Sequence, residues 1–384
     1  MTKKLLIVNN NLAIGGIQKS LVNLLWQVRD KYDITLLLLS RCGELMDTLP
    51  PNVRIIEPPR RMRIMGMSQS EAKKAGFYVF ALRTLCALWT KVFSTRLPFF
   101  LLTRSYKMDE LFDYAVSFMQ NASPKLFYGG CNEVVLNCVR AEKKVGFIHC
   151  DYKNYEGNCR YNIEICRRLD AIAACSTSCR ERFLEVVPDM AGRVFAVHNC
   201  YNFDELRQLG EEYEAELPDT FNVLTVARIS EEKGILRMLP IIARLRENHS
   251  FVWHIVGDGV QRDEALKTIE KLNLENTVIL HGQKRNPYPY FKKADLLLVP
   301  SYNEAAPMVY GEAEFFSLPI LTTDTTSARE LVEKRGCGLV CENTAEGIES
   351  ALQDAIVRKS PKHRSHKVFD NLQAATEFER LFPA

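Results

Sequence analysis

The residues whose types and spacing best suit chemistry lie in the second half of the chain, where polar residues follow short apolar runs. Arg228 follows the run Val223–Ala227, and Lys233-Gly234 comes five positions after Arg228. Two cations beside a strand end and a helix start suit a diphosphate, because they donate charge-assisted hydrogen bonds to phosphate oxygens. A solvated loop also often carries such a charge cluster, so the two residues alone leave both interpretations open.

A pair of carboxylates follows a later apolar run, Leu296–Val299. Glu304 and Glu312 are eight positions apart, so a loop that leads into a helix can bring both to the border of one pocket. Carboxylates accept hydrogen bonds from vicinal hydroxyls, which makes ribose or hexose a suitable ligand. Two unrelated surface glutamates would give the same spacing, and composition does not decide between these interpretations.

Glycines follow several of the apolar runs. Gly15-Gly16 comes after Leu5–Val8 and opens a helix-like segment, and the turn Val256–Val260 has the sequence VGDGV. Paired glycines let a backbone approach a ligand closely, and the amides of a helix N-terminus favour phosphate. The first pair fits neither GxGxxG nor GxxxxGK[ST], so a tight turn explains it equally well.

The apolar runs that position these residues alternate with helix-like segments. Continuous Val, Ile and Leu runs suit strands that are covered on both faces, and the alternation predicts parallel sheets and an α/β fold. The acidic segment 204–220 interrupts the rhythm and is interpreted as a linker between two halves. The predicted strands are Leu5–Val8, Ile34–Leu39, Tyr114–Phe118, Val145–Ile148, Ala171–Ala174, Val194–Val197, Val223–Ala227, Val252–Val256, Val278–Leu280, Leu296–Val299 and Pro319–Thr322.

Composition excludes several classes of protein. With 384 residues, 47% hydrophobic and 25% charged residues, the chain suits two globular domains and excludes a disordered, collagen-like or multi-span membrane protein. The net charge of +3 indicates no nucleic-acid binding. The twelve cysteines include no CxxC pair, so we expect no metal site. The run Leu5–Val8 is too short for a signal peptide, so we expect the thiols to be reduced in a cytoplasm.

One basic, aromatic-rich segment departs from this pattern. Residues 60–107 contain ten Lys and Arg and a single acid, Glu71. Arg83 and Lys91 interrupt the apolar stretch Phe77–Leu102, so it is not expected to span a bilayer. Such a segment can lie in a membrane interface and attract anionic lipid. The alternative is an ordinary helix pair that packs on the first domain with a solvated basic face.

The ordered set of motifs resembles glycosyltransferase family 4, a group of retaining enzymes with the GT-B fold. It comprises VARISEEKG with Arg228 and Lys233, VGDG, the pair Glu304 and Glu312, and FFSLPILTTDTTSARELV; the first half adds the Gly-Gly loop, FDYAVSF, VGFIHCDY and HNCYN. The resemblance implies an α/β fold of two facing Rossmann-like domains with a cleft between them. It implies an acceptor-binding domain at 1–203, a linker at 204–220, a nucleotide-sugar domain at 221–367 and a C-terminal helix at 368–384 that packs back on the first domain.

The resemblance also implies roles by position. Arg228 and Lys233 would hold the donor diphosphate and stabilise the charge left when the sugar departs. Glu304 and His149 would face the donor sugar and Glu312 the ribose, while Asp151 is a candidate for acceptor binding. The residues implied around the donor are Gly15, Gly16, Gly257, Gly259, Gly282, Ala305, Ala306, Pro307, Met308 and Glu312.

The implied reaction is transfer of a hexose-type sugar, with retained anomeric configuration, from a nucleotide diphosphate sugar to a hydroxyl of a lipid-linked saccharide. UDP-sugar is the first choice of donor and GDP-sugar the second, and the implied pathways make capsule, O-antigen or exopolysaccharide. The chain has no D-x-D, and two cations can serve the phosphates, so no cofactor or metal is expected. The implied location is the cytoplasmic face of the plasma membrane, in peripheral contact through residues 60–107.

Two departures from the family pattern bear on the donor, and three other functions stay open. Gln18 stands where many members have an acid, and Ala305-Ala306-Pro307 replaces a Gly-Phe-Pro type of loop. A scaffold that kept the fold without turnover and a sugar-nucleotide epimerase are the main alternatives. A dinucleotide oxidoreductase is disfavoured because GxGxxG with a following acid is missing.

Overall fold

The structure is a computed structural model that describes residues 2–358 and 371–382. The chain divides into two compact units, Met1–Cys200 with Asn371–Ala384, and Tyr201–Asp370. Each unit contains one parallel sheet with helices on both faces, so the predicted α/β fold with two Rossmann-like domains is confirmed.

The first unit is built on a seven-stranded parallel sheet in the order β3-β2-β1-β4-β5-β6-β7. Alternate residues of β1, an interior strand, point to opposite faces: Leu5 and Ile7 pack in one core, and Leu6 and Val8 pack in the other. This two-sided burial is why the strands read as unbroken apolar runs. The strands are β1 (Lys3–Asn9), β2 (Tyr32–Leu38), β3 (Arg54–Ile56), β4 (Leu111–Ser117), β5 (Arg140–Ile148), β6 (Ala171–Ala174) and β7 (Val194–Ala196).

Eight helices of the first unit follow these strands in the chain. The connection between β3 and β4 contains four of them, which together cover most of the basic, aromatic-rich segment. The helices are α1 (Gly16–Val28), α2 (Arg60–Arg63), α3 (Gln69–Lys74), α4 (Phe77–Val92), α5 (Arg96–Thr103), α6 (Cys131–Cys138), α7 (Arg160–Arg167) and α8 (Thr177–Val186).

The second unit contains a six-stranded parallel sheet in the order β10-β9-β8-β11-β12-β13. Its strands are β8 (Phe221–Val226), β9 (Phe251–Val256), β10 (Val278–Gly282), β11 (Leu296–Val299), β12 (Ile320–Thr323) and β13 (Gly338–Cys341). Its helices are α9 (Phe203–Gly210), α10 (Ile235–Leu245), α11 (Arg262–Lys271), α12 (Tyr288–Lys293), α13 (Met308–Phe315) and α14 (Ala345–Arg358), with a 3-10 turn at Glu231–Lys233 and a π-helical turn at Arg329–Glu333.

All eleven predicted strands are present, with ends shifted by a few residues, whereas β3 and β13 escaped prediction. Both are short strands at the edge of a sheet. Edge strands are covered less completely, and Arg54 and Leu339 are exposed, so neither strand shows an unbroken buried run.

The segment 204–220 differs from the predicted linker because it begins inside helix α9. Leu206 is buried in the second unit, and Gly210 lies so close to the Phe316 ring that a Cβ would come within 2.6 Å of it. The acidic residues Asp204 and Glu205 occupy the first turn, where they suit the positive end of the helix. The basic stretch 359–367, interpreted from the sequence as a solvated crossover, lies outside the described residues.

The last helix, α15 (Leu372–Glu379), packs within the first unit. Phe378 and Phe382 are buried in the core that contains Leu5, and the Phe382 ring stacks on Tyr114 with centroids 4.2 Å apart. Burial of one such aromatic side chain contributes about 1.5–3 kcal/mol. Glu377 adds a polar anchor, since its carboxylate accepts hydrogen bonds from the backbone and the Nδ1 atom of His198.

Candidate functional site

The centre of the candidate site is an ion pair between Lys233 and Glu304. The Lys233 Nζ atom donates to the Glu304 Oε1 atom at 2.7 Å, and the same oxygen accepts from the Ser301 hydroxyl at 2.8 Å. The side chains are only 18% and 11% exposed. The structure therefore brings together two predicted site residues that the sequence separates, in a position where water screens their charges weakly.

The loop after β8 and the loop after β11 are held together by backbone contacts. Gly234 adopts a left-handed conformation with φ of 68°, and a Cβ on it would lie 2.1 Å from the Pro300 carbonyl oxygen. The Tyr302 amide donates to the Glu232 carbonyl at 2.8 Å. Glycine is required here for both the backbone angle and the close approach, and that approach places Lys233 beside Glu304.

Arg237, which the sequence reasoning did not single out, braces the same two loops. Its Nε atom donates to the Pro300 carbonyl at 3.0 Å, and its Nη1 atom donates to Asn343. The guanidinium also lies over the Tyr302 ring at 3.9 Å from the centroid. The sequence signal for Arg237 was its position four residues after Lys233, in the first turn of α10. We interpret Arg237 as a positioning residue.

Arg228 lies on the loop after β8 but is not part of the buried pair. Its side chain is 73% exposed, and its Nη2 atom donates to Glu232 at 2.6 Å, four residues along the chain. An exposed pair of this kind contributes little to stability. The guanidinium can therefore exchange Glu232 for an anionic ligand at small cost, as its predicted phosphate role requires.

Gly257 and Gly259 allow the turn after β9 to pack on the loop that carries Arg228. A Cβ on Gly257 would lie 1.9 Å from the Ala227 carbonyl oxygen, and one on Gly259 would lie 2.3 Å from that of Ile229. The structure thus gives both glycines a packing role, beside the predicted role at the donor. Gly282, with φ of 68°, ends β10, and its carbonyl accepts from the Gly257 amide at 2.9 Å.

Helix α13 begins directly after the loop that contains Glu304. Ala305, Ala306 and Pro307 are partly buried, Pro307 precedes the first helical residue Met308, and no side chain caps this end. Amides in the first turn of a helix carry partial positive charge and can bind an anion. The predicted donor loop therefore lies between a carboxylate–ammonium pair and an uncapped helix N-terminus.

Glu312 lies one turn further along α13 and is only 3% exposed. The Tyr288 hydroxyl donates to its Oε1 atom at 3.3 Å. Glu304 and Glu312 thus have different hydrogen-bond partners and different degrees of burial. The neighbouring residue Gly311 faces the Tyr201 ring, where a Cβ would come within 2.3 Å, so α13 is tightly packed at this point. The ribose role of Glu312 stays a prediction.

The first unit contains the other predicted site residues, and the Gly-Gly loop begins α1. Gly15 has an extended conformation, and no side chain caps the helix that starts at Gly16. The helix is anchored further along by Ser20 and Asn23, which donate to the Asn199 side chain and the Cys200 carbonyl. Gly16 is exposed and Gly15 is partly buried, so the backbone at the start of this anchored helix is at least partly accessible, as the predicted role of the two glycines requires.

His149 follows β5 and is partly buried between aromatic rings. Its Nε2 atom donates to the Phe118 carbonyl at 2.9 Å, which leaves Nδ1 as a hydrogen-bond acceptor. Burial lowers the pKa of His149 to about 4, so the ring is neutral at pH 7. A neutral acceptor of this kind can bind a sugar hydroxyl but cannot supply a positive charge to phosphate.

Asp151 follows His149 by two residues and has local partners. Its carboxylate accepts from the Lys153 amide at 3.2 Å and from the Asn154 side chain at 2.9 Å. These contacts fix the turn after β5. Asp151 therefore has a structural role in its own loop, and its acceptor-binding role stays a prediction.

Helix α4 has two apolar faces, one buried and one exposed. Val79, Leu82 and Cys86 pack against the core of the first unit. The opposite face presents exposed apolar side chains at helical spacing, which we call the α4 stripe: Tyr78, Leu85, Leu88, Trp89 and Val92. A surface helix normally carries polar residues on its outer face, so the α4 stripe is an unusually apolar exposed surface.

Arg83, which the sequence places within the apolar stretch, is committed to the fold. Its Nε atom donates to the Met67 carbonyl at 2.8 Å, and the residue is partly buried. Lys91, by contrast, is exposed. Within residues 2–358 and 371–382, no helix has both the length and the apolar character needed to cross a membrane.

Comparison with known proteins identifies the domain in the second unit. Residues 212–368 match the family model described as glycosyl transferases group 1. This range covers β8 to α14 and includes Arg228, Lys233, Glu304 and Glu312. The second unit therefore carries a glycosyltransferase domain, and the predicted diphosphate and carboxylate residues all belong to it.

Two curated relatives resemble part of the chain. The first, N-acetylgalactosamine-N,N'-diacetylbacillosaminyl-diphospho-undecaprenol 4-alpha-N-acetylgalactosaminyltransferase of Campylobacter jejuni, is 32% identical over 188 residues, which are 46% of this chain and 51% of that protein. The second, lipopolysaccharide glucosyltransferase WaaG of Escherichia coli, is 32% identical over 131 residues, which are 33% of this chain and 34% of that protein. The chain thus spans about half the length of the first relative and about a third of the second.

A solved structure matches nearly the whole chain. Alr3699/HepE of Anabaena, crystallised with UDP and glucose, superposes with a TM-score of 0.65 at 16% identity, covering 99% of this chain and 95% of that protein. At this identity the likeness shows the fold alone. The chain has the GT-B fold with two Rossmann-like domains.

Proposed function

We propose that the chain is a retaining glycosyltransferase that moves a hexose-type sugar from a nucleotide diphosphate sugar to a hydroxyl of a lipid-linked saccharide. The pathway is capsule, O-antigen or exopolysaccharide synthesis. The observation that carries the proposal is the Lys233–Glu304 pair beside the uncapped start of α13, within a domain that matches the glycosyl transferases group 1 model. This arrangement offers a cation, backbone amides and a carboxylate to one ligand.

The cations act on the leaving diphosphate in this proposal. Lys233 and Arg228 bind the phosphate oxygens and stabilise the negative charge that develops as the glycosidic bond breaks. Glu304, whose Oε1 atom is fixed by hydrogen bonds, accepts a hydrogen bond from a hydroxyl of the donor sugar, and Glu312 accepts hydrogen bonds from the ribose hydroxyls. The two cations take the place of a divalent metal, so the proposed reaction is independent of metal and of any cofactor.

The donor and acceptor classes rest on relatives. UDP is the proposed nucleotide, supported by the UDP and glucose in the Alr3699/HepE structure. A lipid-linked acceptor is supported by the diphospho-undecaprenol saccharide in the name of the Campylobacter relative and by the lipopolysaccharide in that of WaaG. We propose that His149 contacts the donor sugar and that Asp151 contacts the acceptor.

The proposed location is the inner face of the plasma membrane, where the chain docks through the basic, aromatic-rich segment. The exposed α4 stripe supplies the apolar contact. Exposed cations at Lys73, Lys74 and Lys91 on α3 and α4 supply attraction to anionic lipid, about 1 kcal/mol for each residue near the surface. Together they describe a peripheral attachment that needs no spanning helix.

Nucleotide binding followed by donor consumption tests the transferase. In thermal-shift measurements with UDP, GDP, ADP, CMP and NADH, one nucleoside diphosphate should stabilise the wild type. Glu312→Gln should lose that shift. Donor consumption should then require a lipid-linked saccharide acceptor, and NMR of the product should show the donor's anomeric configuration. Binding without consumption would instead indicate a scaffold, consumption without acceptor an epimerase, and a shift with NADH alone an oxidoreductase.

Vesicle sedimentation tests the docking surface separately. The variant with Leu85→Glu and Leu88→Glu places two charges on the α4 stripe and should lose binding to anionic vesicles at least tenfold, because charged side chains resist burial in the membrane interface. Leu372→Glu, an equally exposed leucine on α15, is the matched control and should bind as the wild type does. Equal binding of all three proteins would exclude the α4 stripe as the membrane contact.

A further inference from the structure

A cavity of about 620 Å³ opens on the first unit, lined by residues of α4, α5, α6 and α7 and of the loop between α4 and α5. Trp89, Phe93 and Phe100 form an aromatic wall, and Glu133 and Tyr161 also line the cavity. None of these five residues belongs to the predicted donor or acceptor residues. The cavity combines an apolar wall with a carboxyl group, so it suits a ligand that has both an apolar and a polar part.

Glu133 is the unusual residue of this cavity, since it is only 1% exposed. Its Oε1 atom accepts hydrogen bonds from the Tyr161 hydroxyl and from the Asn121 side chain, both at 2.8 Å. Its Oε2 atom is buried and has no hydrogen-bond partner in the described part of the chain. A buried polar atom left without a partner costs about 1–3 kcal/mol. Oε2 is covered in this structure, so a ligand gains affinity from it when the side chains over Oε2 move aside and let the ligand supply the partner.

A hydroxyl group is the partner that fits Glu133 best. Burial raises the pKa of the Glu133 carboxyl, while the hydrogen bonds from Tyr161 and Asn121 oppose the rise. A hydroxyl can donate to the carboxylate or accept from the carboxylic acid, so it satisfies Oε2 in either protonation state. An ammonium group can only donate, and it would also have to pass the cations at the cavity.

The cations at the cavity are Arg96 and Arg168, both exposed. Arg168 donates to the Asn137 side chain at 3.2 Å, and the Arg96 guanidinium lies 5.9 Å from the centroid of the Tyr161 ring. The other acid that lines the cavity, Glu164, is paired with the neighbouring Arg160 at 3.0 Å. The balance of charge therefore favours an anionic group such as a phosphate ester.

The aromatic wall continues into the exposed apolar surface of the unit. Trp89 belongs to the α4 stripe, and Phe93 and Phe100 are also exposed. The Trp89 and Phe93 rings pack against each other with centroids 4.4 Å apart. A hydrocarbon chain that leaves the cavity can thus lie along apolar side chains without entering water.

We propose that this cavity binds the hydroxyl-bearing head of an anionic lipid, with the phosphate ester at Arg96 and Arg168, a head-group hydroxyl at Glu133, and the hydrocarbon chain along Trp89 and Phe100. The inference goes beyond the proposed transferase, because it assigns a lipid-binding site whose occupancy is measurable without turnover. A free phosphate ester of glycerol shares the head chemistry and lacks the chain, which allows the two sources to be separated.

Binding of short-chain lipids below their micelle concentration tests the proposal, with tryptophan fluorescence as the readout. Of the three tryptophans, Trp253 is buried in the second unit and Trp26 donates to the Thr48 carbonyl, whereas Trp89 is exposed at the cavity. Dihexanoyl phosphatidylglycerol should shift the emission with saturation, and Trp89→Phe should abolish the shift. Dihexanoyl phosphatidylmethanol has the same charge and no hydroxyl, so it should bind about tenfold more weakly.

Two variants and two controls complete the test. Glu133→Gln should remove most of the preference for phosphatidylglycerol over phosphatidylmethanol. Ser94→Phe, which adds a bulky side chain at a residue that lines the cavity, should weaken binding of both lipids and provides a second test if Glu133→Gln does not fold. The Leu85→Glu and Leu88→Glu variant, altered outside the cavity, should keep the preference, so failure of membrane docking is distinguishable. Equal affinity of the wild type for the two lipids, or for free glycerol 3-phosphate and phosphatidylglycerol, would overturn the proposal.

Discussion

Replacement of Lys233 separates a catalytic role from a structural one. At an effective dielectric of about 20, unit charges at the observed 2.7 Å attract by roughly 6 kcal/mol, most of which offsets the desolvation of the two groups. Lys233→Met leaves Glu304 mostly buried and without its cation, so the free energy of unfolding should fall by about 2 kcal/mol. If Lys233 also stabilises the leaving phosphate, turnover should fall about a hundredfold or more.

A double variant makes the test decisive. Lys233→Met with Glu304→Gln no longer contains the orphaned carboxylate, so its stability should recover by about 1 kcal/mol relative to Lys233→Met alone. Its turnover should not recover, because the cation is still missing. Lys233→Arg keeps the charge and serves as the matched control, with both stability and turnover closer to the wild type.

The assay measures urea unfolding and UDP release from the UDP-sugar that gives the largest thermal shift. UDP release is followed with acceptor present, at donor concentrations above and below KM, so that kcat and KM are obtained separately. Near-normal kcat in Lys233→Met would refute the phosphate role. Recovery of turnover together with stability in the double variant would show that Lys233 acts only through the fold.

The remaining predictions concern stability. Gly234→Ala should lower the free energy of unfolding by about 2–4 kcal/mol, because its Cβ would lie 2.1 Å from a carbonyl oxygen. Gly282→Ala, which has the same φ of 68° and open space around it, should lower it by about 1 kcal/mol. Equal losses in urea denaturation would contradict the steric argument. Burial lowers the pKa of His254 to about 4, below its ordinary value, so the unfolded state takes up the proton first and acidification favours unfolding. The contribution of His254 to the free energy of unfolding is intact above pH 6.5 and should fall by on the order of 3 kcal/mol towards pH 4. The difference in unfolding free energy between the wild type and His254→Gln, followed against pH, measures it, and a difference that does not change with pH would argue against the prediction.

Sequence patterns predicted the interior of each sheet well because strands buried on both faces must be apolar at every position. The same rule fails at one edge of each sheet, where β3 and β13 are partly exposed. It fails again at α9, whose acidic surface concealed the two buried positions Leu206 and Gly210 and suggested a linker. In each case the error arises where burial is one-sided, so that composition averages over two different faces.

The candidate site was predicted as residue types and not as contacts. Arg228, Lys233 and Glu304 were chosen from their positions after strands, but nothing local in the sequence joins Lys233 to a residue 71 positions away. That contact depends on Gly234, whose left-handed backbone and close approach become visible only in three dimensions. Glu133 was missed for a similar reason, since a glutamate inside a helix shows no sign of being buried.

The close backbone approaches at Gly234, Gly257 and Gly259 constrain how this chain can diverge. Each leaves no room for a Cβ atom, so these positions are closed to every other amino acid unless the loops themselves move. Ala305 and Ala306, in contrast, are partly exposed small residues beside the carboxylate that is proposed to meet the sugar. Substitutions at Ala305 and Ala306 therefore meet less steric resistance than substitutions at the three glycines, so the loop that is proposed to face the sugar can vary while the frame beneath it stays constant.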